Sequence, residues 1–150
     1  MNPDDLRLGW LVKKGTEGDI VLVGCPFDFF RSRSLHKGGE DNGPCCIRRF
    51  LGKCGPIVNP EYEIDISKLS VSDMGNIQVE VPKQEEDKYK NVKTKRFKGE
   101  YVNYEKNSPE MILLKITDQI SNLIGNNKLP FVIGGSKEST LGSVRAFYEH

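Results

Sequence analysis

Residues 19 to 24 read Asp-Ile-Val-Leu-Val-Gly, a short apolar run that ends at a glycine. Such a run is typical of a strand buried on both faces, as the strands of a parallel sheet are. The residues that follow, 25 to 42, are rich in Gly, Ser and charge, which predicts a loop leaving the carboxyl end of that strand. In doubly wound folds, loops at this position carry function.

The next two segments predict a helix and then a second strand. Gly43-Pro44 opens a helix that continues to Leu51 and ends at Gly52, because proline is well tolerated at the first helical position. Residues 69 to 74 alternate apolar and polar side chains before Gly75-Asn76, which predicts a half-buried strand followed by a turn.

The remaining segments again predict a helix, a strand and a helix. Ser108 is the predicted N-cap of a helix that begins at Pro109 and ends at Gly125. Its apolar residues recur at helical spacing: Leu113, Ile116, Ile120, Leu123 and Ile124. Residues 130 to 134 predict a third buried strand, and residues 138 to 149 a last helix. Strands that alternate with helices predict an α/β fold with a mostly parallel, doubly wound sheet and right-handed crossovers.

Composition predicts one domain and excludes several function classes. A chain of 150 residues can bury enough surface for a packed core, and a net charge of +1 provides no long-range field that selects nucleic acid or anionic lipid. No run approaches the roughly 20 apolar residues of a membrane span, and no leading signal-like run is present, so we expect a cytoplasmic protein.

A charged stretch at about 82 to 107 interrupts the regular pattern. It interleaves basic residues with four aromatics, and such a pattern could stack on single-stranded nucleic acid. Acidic residues dilute that charge, so an exposed loop or insertion is the favoured interpretation and no nucleic-acid partner is expected.

All cysteines lie in the first third of the chain, at Cys25, Cys45, Cys46 and Cys54. Their spacing does not match paired zinc ligands. We expect small buried thiols that stay unpaired, of which one could oxidise if it is exposed.

Ligands of open α/β sheets gather outside the carboxyl ends of the strands, which here are residues 26 to 42, 75 to 77 and 135 to 139. Gly135, Ser136 and Lys137 form a strand-to-helix junction at which free amides and a lysine charge could hold an anion. The alternative is a tight turn with Ser136 as N-cap, and the junction is too short for a phosphate-binding loop.

Charged residues near these loops have two interpretations each. Asp28 and Asp73 could be catalytic carboxylates or could fix loops through bonds to backbone amides, and for Asp73 the structural role is favoured. Arg48 and Arg49 face solvent or brace neighbouring loops, or they join the basic loop residues in binding a carboxylate. These loop residues are Arg31, Arg33 and Lys37.

Four segments, in order, resemble the ureohydrolase superfamily of arginases, agmatinases and formiminoglutamases. They are Val-Gly-Cys-Pro-Phe-Asp at 23 to 28, Gly39 with Gly43-Pro44 and Ile47-Arg48, Asp-Met-Gly-Asn-Ile at 73 to 77, and Pro-Phe-Val-Ile-Gly-Gly at 130 to 135. The formiminoglutamase branch is the most similar, since Glu138 follows its histidine site and basic residues occupy similar loop positions. The resemblance implies the N-terminal half of an arginase-type fold.

The resemblance also implies a chemistry, namely hydrolysis of a guanidino or formimino carbon by hydroxide that bridges two manganese ions. The family's first metal-binding histidine corresponds to Lys137, and Ser136 replaces the preceding aspartate or glycine. A lysine ammonium has no lone pair and repels a dication. The family's later aspartate motifs do not occur in these 150 residues, so we expect no metal cofactor, no catalytic residue and a fragment of a larger sheet.

The leading hypothesis is therefore an arginase-like protein that is catalytically degenerate and acts by binding. A small carboxylate or amino-acid-like ligand would contact the loop of Arg33, Lys37, Gly39 and Asn42. The alternatives are an active manganese-dependent hydrolase with its remaining ligands outside this segment, and an anion-binding α/β module that uses Gly135 to Lys137. The resemblance further implies a homo-oligomer, either a trimer or a hexamer.

Overall fold

A computed structural model describes residues 6–28, 39–55, 58–59, 61–78, 109–135 and 137–150. The charged stretch at 82–107, the loop residues Arg31, Arg33 and Lys37, and Ser136 lie outside them. The helices are α1 (Leu8–Leu11), α2 (Gly43–Leu51), α3 (Pro109–Gly125) and α4 (Lys137–Tyr148). The strands are β1 (Lys13–Lys14), β2 (Ile20–Cys25), β3 (Val58–Asn59), β4 (Ile64–Asp65), β5 (Val71–Asn76) and β6 (Leu129–Gly134).

The described residues form a four-stranded sheet in the order β1-β5-β2-β6, in which all pairs are parallel, and a separate two-stranded antiparallel sheet of β3 and β4. This confirms the predicted α/β class and places the first predicted strand between the other two. The second strand lies two residues later than predicted and runs through the supposed turn at Gly75-Asn76. The reason is that β5 stays paired with β2 as far as Asn76, opposite Gly24, after an irregularity in the register.

One face of the sheet is covered by α3 and α4. Val21, Val23 and Cys25 of β2 point towards this face and are completely buried. They form a single cluster with the apolar stripe of α3, whose members Ile112, Ile116 and Ile120 are also completely buried. Burial of an isoleucine side chain stabilises a fold by roughly 2 to 3 kcal/mol, so this layer supplies most of the apolar stabilisation.

The other face lies under α2. Because side chains alternate along a strand, Gly24 faces away from Val23 and Cys25. A side chain at Gly24 would collide with the guanidinium of Arg48 in α2. This face is less well covered, since Leu129 and Phe131 of β6, which share it with Gly24, are 58% and 60% exposed. Helices on opposite faces confirm the doubly wound arrangement.

The four cysteines are free, and their burial differs from the prediction. Cys25 is buried as expected, and burial raises the pKa of its thiol to about 12. Cys45 and Cys46 are exposed, so the expectation that they are buried was wrong. They lie on α2, of which Pro44 is the buried residue, and their side chains point to solvent.

Candidate functional site

The three strand ends predicted to carry function meet at one edge of the sheet. The Ile77 amide, after β5, donates to the Gly24 carbonyl at 2.8 Å. The Gly135 amide, after β6, donates to the Cys25 carbonyl at 2.8 Å. Backbone bonds therefore join the outgoing segments of β5 and β6 to the end of β2, as expected for parallel strands with carboxyl ends at the same edge.

Gly135 lies in a space that no side chain could share. A Cβ atom there would collide with the Phe27 carbonyl oxygen, and it would lie 2.9 Å from that of Glu40 and 3.0 Å from that of Cys25. A Cβ atom at 3.0 Å or less forces its neighbours to shift, and these neighbours are backbone atoms. The second glycine of the Gly-Gly pair is therefore required by packing, whatever ligand the site holds.

Asp28 fixes the loop that leaves β2. Its carboxylate is almost completely buried, and its Oδ2 accepts the Gly39 amide at 2.6 Å. The chain returns at Gly39 towards the start of α2, so this bond holds the two ends of the loop together. Of the two roles predicted for Asp28, the described contact supports bonding to a backbone amide.

Arg48 connects α2 to the end of β5. Its guanidinium forms a forked pair with the Asp73 carboxylate, with Nε to Oδ2 at 2.6 Å and Nη2 to Oδ1 at 2.8 Å. Nη2 also donates to the Gly75 carbonyl at 2.8 Å, and Nη1 to Asn76 Oδ1 at 2.5 Å. We call these four residues the Arg48 clamp. It confirms that Arg48 braces a neighbouring segment, and bidentate pairing of this kind requires arginine.

The clamp also settles the role of Asp73. Burial alone would raise the pKa of this carboxyl group, but the Arg48 hydrogen bonds, the Gly75 amide and the Arg48 charge outweigh it and lower the pKa. The Gly75 amide donates to Asp73 Oδ1 at 2.8 Å. The predicted structural role of Asp73 is confirmed, because both of its oxygens hold other parts of the chain.

A cleft of about 630 Å³ opens beside the end of β6. Its lining residues are Glu40, Val132, Gly134, Gly135, Lys137, Ser139, Thr140, Ser143, Val144 and Phe147. Two of the three residues predicted to bind an anion, Gly135 and Lys137, therefore share this cleft. Lys137 is exposed and is the first residue of α4, so the helix begins one residue earlier than predicted.

The other predicted ligand-binding residues are placed differently. Gly39 precedes the cleft residue Glu40, and its backbone amide donates a hydrogen bond to Asp28 Oδ2. Asn42 is exposed, and its amide Nδ2 donates to the neighbouring Asp41 at 3.1 Å. Neither lines the cleft. Glu40 was not predicted, because a carboxylate in a charged loop gives no periodic signal that would separate it from solvated neighbours.

The start of α4 also contains Glu138, which is completely buried. A carboxylate in the first turn of a helix is favoured by the helix dipole. The resemblance had marked Glu138 only by its place after the histidine position.

Two features are absent from the described residues. No group of three or more His, Cys, Asp or Glu side chains is arranged to hold a metal ion there. None of the described helices has the length and apolar character to cross a membrane.

A model of the arginase family matches residues 18–150. Among solved structures, formiminoglutamase of Trypanosoma cruzi with Mn²⁺ is 25% identical, with a TM-score of 0.70, and the match covers 97% of this chain and 41% of that one. Agmatine ureohydrolase of Thermoplasma volcanium is 20% identical, with a TM-score of 0.64, covering 95% of this chain and 39% of that one. No curated protein matches. The chain thus spans about 40% of the length of these structures.

Proposed function

The chain belongs to the arginase family, and from this premise we propose that it is a catalytically degenerate member that lacks the dinuclear manganese cluster. The single observation that carries the proposal is the place of Lys137. The resemblance puts a metal-binding histidine at this position, and the side chain lies in the cleft at the end of β6. A protein of this kind would act by binding rather than by hydrolysis.

Two charges of the same sign work against a manganese ion beside Lys137. A protonated amine has three donors and no lone pair, so it cannot be a ligand and repels a dication. Lys137 is also the first residue of α4, and the amino end of a helix carries a partial positive charge. An imidazole at this place would offer a lone pair. The lysine therefore changes both the ligand atoms available to a metal ion and the electrostatic field at its position.

The other described cleft residues do not fit a pair of manganese ions. Manganese prefers carboxylate, carbonyl and imidazole ligands. Within the described lining of the cleft, Glu40 supplies the single carboxylate, and the remaining oxygens are hydroxyls or backbone carbonyls. Because one carboxylate cannot fill the coordination spheres of two ions, we derive no step of hydrolysis through a metal.

The positive charge of Lys137 would instead suit an anionic group. A small carboxylate or amino-acid-like ligand fits an ammonium at the mouth of a cleft of this size. This binding role is part of the proposal, as are a cytoplasmic location and assembly as a trimer or hexamer, which the resemblance implies.

An active hydrolase is the second candidate, and one observation favours it. The Trypanosoma cruzi formiminoglutamase is described with Mn²⁺, and the match covers only 41% of its chain. Further ligands could therefore come from polypeptide that corresponds to the rest of that structure. In that case the protein would hydrolyse a guanidino or formimino substrate despite Lys137.

Metal retention separates the two candidates. The protein, expressed with all the polypeptide that its gene encodes, is incubated with excess MnCl₂, desalted, and analysed for manganese by mass spectrometry. We expect substantially less than one ion per chain and no rise in the melting temperature. Retention of two ions per chain, with release of urea or formamide from guanidino or formimino substrates, would overturn the proposal.

The variant Lys137→His makes the test sharper. It restores an imidazole, so we expect it to retain more manganese than the original chain. Lys68→His is the matched control, because Lys68 is exposed on a short 3₁₀ turn (Ile66–Lys68) and does not line the cleft. Equal retention by Lys137→His and Lys68→His would show that position 137 does not determine metal binding.

A further inference from the structure

Contacts on both of its sides fix the position of Glu40. This half-buried residue begins a 3₁₀ turn (Glu40–Asn42) that leads into α2. Its backbone carbonyl lies against Gly135, where a Cβ atom would come within 2.9 Å of the oxygen. The preceding residue, Gly39, has a φ of 134° and donates its amide hydrogen to the buried Asp28 carboxylate at 2.6 Å. The backbone of the loop therefore holds Glu40 beside the end of β6.

Glu40 and Lys137 reach the cleft from opposite faces of the sheet. The turn of Glu40 continues into α2, which approaches β6 so closely that a Cβ atom at Gly43 would lie 2.8 Å from the Gly134 carbonyl oxygen. Lys137 is the first residue of α4, on the other face, and both residues line the cleft. Additional polypeptide, which the longer relatives possess, would add walls to the cleft and remove neither charge.

Two opposite charges in one cleft select a ligand differently from a single lysine. A simple carboxylate is attracted by the Lys137 ammonium and repelled by the Glu40 carboxylate. A zwitterion carries an ammonium as well as a carboxylate, so it can pair with both side chains. Specificity is a difference between two affinities, and a repulsive group that acts against one ligand contributes to it as an attractive group does for the other.

We propose that Glu40 is a specificity-determining residue, which makes the cleft prefer a small zwitterion, such as an amino acid, to a simple carboxylate. The inference rests on the binding role proposed for the cleft. In that role Lys137 donates to the carboxylate of the ligand, and Glu40 accepts from its ammonium group. The pair of charges thus decides between the two ligand classes that Lys137 alone leaves open.

Three probes with the same carbon skeleton test this preference, namely pentanoate, 2-aminopentanoate and 5-aminopentanoate. They differ only in the presence and the place of an ammonium group. The full gene product is titrated with each probe at neutral pH, and saturation-transfer NMR gives the dissociation constants. We expect at least one of the amino acids to bind roughly five-fold or more tightly than pentanoate, because a half-exposed ion pair strengthens binding by a modest factor.

Three variants assign the preference to a residue. Glu40→Gln removes the charge and keeps the size of the side chain, so we expect it to bind pentanoate and the amino acids alike. Asp41→Asn is the matched control, since Asp41 is the neighbouring carboxylate of the same turn and does not line the cleft. It should keep the preference. Lys137→Gln should weaken the binding of all three probes, because each of them carries a carboxylate.

The outcomes separate this inference from the binding role on which it rests. A preference that Glu40→Gln abolishes and Asp41→Asn keeps supports the inference. Equal binding of the three probes, or a preference that Glu40→Gln retains, overturns the inference and leaves the binding role of the cleft intact. No detectable binding of any probe, or binding that Lys137→Gln leaves unchanged, overturns the binding role and the inference together.

Discussion

The two faces of the sheet are held by different kinds of interaction. The face under α3 and α4 is a continuous apolar layer in which Val21, Val23 and Ile116 are completely buried. The face under α2 contains the Arg48 clamp, in which one guanidinium bonds to Asp73, Gly75 and Asn76. Apolar packing is spread over many residues, whereas the clamp depends on one. The sheet therefore gains its stability on one face and positions its strand ends on the other.

Truncation of one isoleucine on each face should give the largest difference in the free energy of unfolding. Ile116→Ala should destabilise the chain by about 2 to 5 kcal/mol, because it leaves a cavity in a fully buried layer. Ile47→Ala on α2 removes the same atoms from a side chain that is 43% exposed, so it should cost less than about 1 kcal/mol. Urea unfolding measures both. Equal losses would show that the two faces contribute alike.

The second prediction removes the clamp. Arg48→Met should cost about 2 kcal/mol, because it leaves a half-buried Asp73 carboxylate without its forked partner. Arg49→Met is the matched control, since Arg49 is the exposed neighbour on the same helix and should change stability by less than about 0.5 kcal/mol. The clamp would be unimportant if the two variants unfolded at the same urea concentration.

A smaller effect should appear as a dependence on pH. The folded chain holds the pKa of Asp73 below its usual range, so this carboxylate stabilises the fold above the unfolded pKa of about 3.9. That contribution is lost as pH falls through the lower folded pKa. The stability difference between the original chain and Asp73→Asn should therefore be constant near neutrality and shrink below about pH 4. A difference that does not change between pH 6 and pH 3 would contradict the assignment.

The last prediction concerns the reactivity of the thiols, which differs between the two faces of the sheet. Cys25 points into the covered layer and its thiol has a pKa of about 12, whereas Cys45 and Cys46 are exposed on α2. An aromatic disulfide reagent at pH 8 should modify Cys45 and Cys46 in the folded chain and Cys25 only after unfolding. Mass spectrometry of the digested product identifies the sites. Modification of Cys25 in the folded chain would mean that the layer opens readily.

Much of this fold could be predicted, because its main elements are long enough to show a period. Helix α3 repeats its apolar stripe over seventeen residues, and its bounds matched the prediction. Strand β5 was placed two residues too early, because alternation sets the face of a strand but not its ends. Strands β1, β3 and β4 have two residues each, which is too short for any periodic signal.

The site was less predictable, because its contacts join residues far apart in the sequence. Strand ends 75 to 77 and 135 to 139 were located from general rules for α/β sheets. The pairing of Arg48 with Asp73 across 25 positions, and the presence of Glu40 in the cleft, depend on tertiary packing. The exposure of Cys45 and Cys46 depends on which side of α2 faces the sheet, and that side carries Arg48 rather than the apolar residues Ile47 and Phe50, which are exposed.

The central position of β2 has a consequence for synthesis of the chain on the ribosome. Its partner β6 lies about a hundred residues further along, at Leu129 to Gly134. At translation rates of about 5 to 20 residues per second, one edge of β2 stays without its neighbour for roughly 5 to 20 seconds. During that time the nascent polypeptide exposes the apolar residues of β2 along one edge.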